Sequence, residues 1–249
     1  MTIKKIIALF PVVLLLLTAG CKKGKKDVPA SVPVEFTSTT YQSLGTYDAN
    51  GTPTYLLPPD VVSSDMQNFI NSILIEHTDL RPRHPELLET SAIADIKITQ
   101  ASDVFITFVS QVTNATNALG FYTYTTATPP ASAKDIAVIT YALPSAGMNT
   151  KLKAGDKIKI GRFAAGTSIG FAIMKNAWNS ATATLDNKVV HFCSDDVLNP
   201  EVDPNLKKHA VLINYAPESK VLIGFENTDR TTTSDNDFND IVIYATVTP

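Results

Sequence analysis

From Ala94 to the C-terminus the chain is a succession of short runs rich in Val, Ile, Phe, Tyr and Thr, each closed by Gly, Pro, Asn or Asp. β-branched and aromatic side chains suit a pleated, half-buried surface, and the punctuating residues suit turns. Ten runs qualify as strands: 95–99, 104–112, 119–126, 136–141, 157–163, 167–175, 189–193, 209–215, 220–226 and 241–247. None of the gaps carries a helical period over ten or more residues. This pattern predicts a mainly β protein, an antiparallel β-sandwich of jelly-roll type, rather than an α/β fold. Alternation assigns the inward faces: Ile169, Phe171 and Ile173 in one strand, Val221, Ile223 and Phe225 in another.

Before this region one helix is expected. Val62, Met66, Phe69, Ile70, Ile73 and Leu74 recur at spacings of three and four within 61–76, with Asp60, Ser63 or Ser64 available as N-cap. Pro82 and Pro85 close it. The division is therefore a signal peptide over 1–20, a lipidated tether over 21–55, a short helical segment over 56–93 and the sandwich over 94–249.

The N-terminus carries an export pattern. Lys4 and Lys5 precede twelve apolar residues, 6–17, too few for a spanning helix. Thr18-Ala19-Gly20-Cys21 follows and resembles a bacterial lipobox, although Leu is commoner where Thr18 stands. The resemblance implies cleavage before Cys21, lipidation of Cys21 and a lipid-anchored place in the bacterial cell envelope, at the outer membrane. Lys22, Lys23, Lys25 and Lys26 next to the anchor suit either an acidic lipid surface or a solvated tether. Residues 28–249 hold 15 Lys and Arg against 23 Asp and Glu, a formal charge of −8, which argues against a nucleic-acid partner. Once Cys21 is acylated, Cys193 has no partner for an intrachain disulfide.

The densest chemistry lies between the last two runs. Glu226, Asp229, Asp235, Asp237 and Asp240 place five carboxylates in 15 residues, with Arg230 as the one cation. Like charges held this close repel unless solvated, protonated or neutralised by a cation. Calcium, with six to eight oxygen ligands in irregular geometry, suits an Asp- and Asn-rich loop. Asp235-x-Asp237-x-Asn239 begins like an EF-hand loop. It then departs from one, with Asp240 at the glycine position, Thr246 at the bidentate position and a strand for the exiting helix. A solvated turn is the alternative.

Several segments resemble the domain-of-unknown-function 4114 family. They are Phe108-Val109-Ser110, Asn117 to Tyr122, Gly161-Arg162-Phe163, Gly166 to Phe171, Asn176-Ala177-Trp178, Leu198-Asn199-Pro200, Gly224-Phe225-Glu226 and Asp235 to Asp240. Ile75-Glu76, Arg81 and His84-Pro85 are similar to the segment that precedes this domain in LruC-type bacterial lipoproteins. The resemblance spans about 104–247. It implies an exported, non-enzymatic domain with calcium at Asp235, Asp237 and Asp240, joined by Glu226 and by Asp229. Asn227 stands where the family usually has Asp, which implies a weaker site. Surface glycans or proteins are the partners such a module would meet.

Three other constellations compete. Gly166-Thr167-Ser168-Ile169-Gly170 fits the G-x-S-x-G pattern of serine hydrolases, but Ser168 is expected inside a strand instead of at a nucleophile elbow. His191, Cys193 and Asp195 share a strand face, and with His209 they make a candidate zinc set. Tyr122, Tyr124 and Trp178 offer either core packing or a sugar platform. Paired acids for glycosidase chemistry must flank a cleft, which five acids in one loop do not suggest.

Overall fold

The computed structural model describes residues 28–89, 91–92 and 95–249, so the signal segment, Cys21 and the lysines at 22–26 lie outside the described residues. In chain order the elements are β1 (Thr40–Ser43), α1 (Ser64–Ile73), β2 (Ile96–Lys97), β3 (Ser102–Gln111), β4 (Ala118–Thr125), β5 (Val138–Leu143), β6 (Lys157–Phe163), β7 (Thr167–Met174), β8 (Trp178–Asn179), β9 (Thr184–Leu185), β10 (His191–Cys193), β11 (Ala210–Tyr215), β12 (Lys220–Phe225) and β13 (Ile241–Thr248).

Two sheets form the sandwich. One runs β1-β5-β4-β7-β10, and the other runs β11-β12-β13-β3-β6. β2 and β10 share the free edge of β7, β2 against Ile169 and Ser168, β10 against Ala172 to Met174. All pairings are antiparallel except β1 with β5. The short β8–β9 hairpin stands apart, and no sequence signal marked it.

The facing surfaces are those the alternation assigned. Ile169, Phe171 and Ile173 of β7 meet Ile223 and Phe225 of β12 in one buried cluster, with Val221 packed at its margin. The Phe171 and Phe225 rings touch edge to face, 6.3 Å between centroids. Burying each such ring contributes about 1.5–3 kcal/mol relative to exposure.

The second sheet is covered on its outer side too. Leu222, Val242 and Tyr244 point away from the sandwich and pack against Met66, Ile70 and Leu74 of α1. The helix is shorter than the period suggested. Ser63 caps its start by accepting from the Met66 N–H, and it stops at Ile73. The Arg83 guanidinium then takes the carbonyls of Ser72 and Ile73, satisfying two groups that a longer helix would have used. Gly224 permits the approach of this layer. A Cβ there would lie 2.4 Å from the Phe238 carbonyl oxygen and 2.6 Å from Leu74 Cδ1.

The expected tether is corrected over its second half. Residues 40–43 form β1, in register with 138–141, and the Tyr55 hydroxyl donates to the Ala142 carbonyl. Gly51 and Pro53 are buried. Four residues paired with a neighbour show too little periodicity to be recognised alone.

Candidate metal centre

The pairing of Phe225 with Ile241 brings Glu226 and Asp240 side by side as the chain leaves β12 and re-enters β13. The Asn227 N–H donates to Asp240 Oδ2 at 2.7 Å, and the Thr228 N–H to Glu226 Oε1 at 3.2 Å. Between them the loop turns through left-handed conformations at Asn236 and Phe238, each with φ +59°. Asn tolerates this. For Phe it is strain of roughly 1–3 kcal/mol, held by surrounding contacts.

Those contacts are specific. Arg230 is buried, its Nε donating to Asn236 Oδ1 at 2.7 Å, its Nη1 to the Lys208 carbonyl at 2.9 Å, and its guanidinium lying over the Phe238 ring. The Arg230 N–H donates to Glu201 Oε1, which also lies 2.8 Å from His209 Nε2. His209 Nδ1–H donates to the Glu226 carbonyl at 2.7 Å, and the Glu226 N–H donates to the His209 carbonyl at 3.0 Å. Both arms of the loop are thereby fixed to one buried Glu201–His209 pair.

The result is a cavity of about 690 Å³ with Glu226, Asp235, Asp237 and Asp240 on its wall. Oxygens of Glu226, Asp235 and Asp237 lie within 4.8 Å of one another. Glu226 is 1% exposed, and its Oε2 has no hydrogen-bond partner among the described residues. Burial, and then the charge of Asp240, push the Glu226 carboxyl up to about 9. Burial likewise raises Asp237 and Asp240 to about 6, against hydrogen bonds from His77 N–H and Asn227 N–H that favour their charged forms. The Glu226, Asp237 and Asp240 carboxyls are desolvated and Asp235 stays exposed beside them, a cluster of oxygens of the kind a hard cation such as Ca²⁺ uses.

Two contributors come from outside the loop. Just past α1, His77 adopts φ +56°; its N–H donates to Asp237 Oδ2 at 2.8 Å, and its Nδ1 lies 2.9 Å from Asp235 Oδ2. Glu76, His77 and Asp237 form a second set of donor atoms within 4.8 Å. No local pattern in the sequence marks Glu76 or His77 as a donor to this cluster, because the contact spans 160 positions.

Asp229 stands elsewhere. Its Oδ1 accepts from the Thr231 N–H and hydroxyl at 2.8 and 2.6 Å, and it lines a different cavity. Burial pushes its carboxyl up, and the Thr231 bonds outweigh this and hold it below the usual carboxylate range. Asn239, the third position of the EF-hand-like start, donates its N–H to Asp237 Oδ1.

The competing constellations are placed as follows. Ser168 lies inside β7, fully buried, with its Oγ 2.8 Å from Thr126 Oγ1. His191 and Cys193 share a face of β10, but the Phe192 ring between them stacks on His209 at 4.3 Å, so His209 sits across the strand from them. The zinc set is therefore not assembled. Tyr122 and Trp178 are buried, and Tyr122 and Tyr124 donate to Asp195 and Asp95, so these aromatics belong to packing.

Residues 163–248 match the model of the family described as Domain of unknown function (DUF4114). This part of the chain is similar to the DUF4114 family. The matched DUF4114 stretch is narrower than the 104–247 resemblance, running from the end of β6 to β13 and containing the whole acidic loop. Its partners in the sandwich, β3 and β4, and the Glu76–His77 contribution lie outside it. No curated protein and no solved structure gives a significant match to the chain.

Proposed function

We propose that this protein is a non-enzymatic lipoprotein of the bacterial cell envelope whose β-sandwich binds calcium in the cavity between β12 and β13, with a structural or adhesive role. The observation that carries the calcium reading is the buried, unpartnered Oε2 of Glu226, set among Asp235 and Asp237. An uncompensated carboxylate in such a place is costly, and a divalent cation removes the cost by replacing lost water and neutralising repulsion. Asp240 joins the ligand set from across the hairpin, and Asn227 supplies no carboxylate there.

The envelope reading is supported by Lys4, Lys5, the apolar run 6–17 and the lipobox-like Thr18 to Cys21, with Cys21 as the lipidated residue. No helix among the described residues is long and apolar enough to cross a membrane. The similarity of residues 75–85 to LruC-type lipoproteins supports the same placement. Thermal melts test the calcium reading: EDTA lowers the melting temperature, calcium restores it, and Asp237→Ala removes the difference. Melts that coincide with and without calcium overturn it. Mass spectrometry of the expressed chain, showing diacylglycerol on Cys21 or its absence, tests the anchor.

A further inference from the structure

The cavity is far larger than one ion needs, and its volume of about 690 Å³ is that of a small-molecule site. Besides the carboxylates, the lining includes Gln111, Thr113, Asn114, Asn176 and Lys175. The Lys175 Nζ lies 3.4 Å from Thr228 Oγ1.

Lys175 also lines a second cavity of about 790 Å³, bounded by Phe36, Val190, Pro200 and Asp229. Lys175 is thus common to both linings, with the neighbouring Thr228 in one and Asp229 in the other. Phe36 is half-buried there, backed by the His191 ring at 4.6 Å, and His191 is itself held by the Tyr41 hydroxyl at 2.8 Å. An aromatic face fixed in this way suits the apolar face of a ring.

From this shared lining we infer that the cation held by Glu226, Asp235 and Asp237 bridges to a neutral polyhydroxylated chain, a glycan, that crosses Lys175 and lays a sugar ring on Phe36. The inference rests on the calcium reading above. Calcium takes six to eight oxygens, more than the converging side chains supply, so ligand hydroxyls complete its shell. Charge selects among oxygen ligands. The five carboxylates of Glu76, Glu226, Asp235, Asp237 and Asp240 keep a formal charge of −2 after one divalent cation and Lys175 are counted, which repels an anionic ligand. The amides and the hydroxyl in the same lining can donate to and accept from sugar hydroxyls without demanding charge.

Two measurements on the full chain separate this inference from the one beneath it. Calorimetric titration with calcium alone reads the ion, and an array of neutral and acidic glycans, probed in calcium and then in EDTA, reads the ligand. The expected result is calcium binding together with retention of neutral glycans that EDTA abolishes and added calcium restores. Phe36→Ala should weaken that retention about tenfold while leaving calcium affinity unchanged. Absence of calcium binding overturns both readings. Calcium binding with no glycan retained, retention that survives EDTA, or preference for acidic glycans overturns the glycan alone.

Discussion

The backbone N–H of His77 donates to Asp237 Oδ2 across 2.8 Å, although 160 positions separate the two residues. The end of α1 and the acidic loop are thus one construction, and the helix covers the sheet that carries the loop. Asp237→Ala should cost about 1 kcal/mol without cation through the lost hydrogen bond. It should also abolish the calcium increment, about 2.7 kcal/mol at one hundred times the dissociation constant, or roughly 5–10 °C in melting temperature. Paired melts in EDTA and in calcium check both numbers, and a variant that keeps the full increment refutes the ligand assignment.

Glu226 contributes to the pH behaviour of the cation-free protein beside Asp237 and Asp240, and it alone of the three titrates well above pH 7. Its carboxyl is raised from 4.5 to about 9 by burial and by Asp240. Between those values the unfolded chain releases a proton that the folded chain retains, so this group lowers stability as pH rises from about 4.5 to 9. Glu226→Gln should flatten that decline in EDTA and weaken calcium binding. Chemical denaturation at pH 5, 7 and 9 provides the comparison. A decline of equal slope in both proteins would show that Glu226 is not its source.

His191 acts in the opposite direction. Burial holds its imidazole down at about 4, against the hydrogen bond to the Val189 carbonyl that favours charge. From about 6.5 down to 4 the unfolded chain takes up a proton that the folded chain refuses, so stability falls as pH falls, by about 3 kcal/mol in all. His191→Gln should remove this acid sensitivity. The midpoint of urea unfolding at pH 4.5 relative to pH 7 reports it.

Gly224 links the packing of α1 to the site. With the Phe238 carbonyl 2.4 Å and Leu74 Cδ1 2.6 Å from a hypothetical Cβ, Gly224→Ala must push loop and helix apart. The expected cost is about 1–3 kcal/mol. Calcium affinity should fall with it, because Phe238 lies between Asp237 and Asn239. Titration calorimetry showing full affinity in a destabilised Gly224→Ala protein would dissociate the two.

The helix under Met66 and Ile70, the alternation of β7 and β12, and the hairpin that pins the acidic loop were legible because each is a local period. The inward residues Phe171 and Phe225 follow from alternation alone. β1 was not legible, since its four residues gain their hydrogen bonds from β5, almost a hundred positions away. That Asp229 stands apart from the converging carboxylates was not legible for a related reason. Sequence spacing counts carboxylates along a chain, but the left-handed turns at Asn236 and Phe238 and the Thr231 bonds decide which ones converge.

What the amino-acid sequence determined by itself is therefore a β-sandwich class, one amphipathic helix and an excess of negative charge between the final two strands. These follow from side-chain period and from charge, both properties of neighbours in the chain. What only the tertiary structure decided is which donor atoms converge: those of Glu76 and His77 come close to Asp237, Asp229 is turned toward Thr231, and Glu226 loses its solvent. Convergence of oxygens within 4.8 Å and the burial that raises a carboxyl's pKa are relations between distant segments, and no local pattern encodes them.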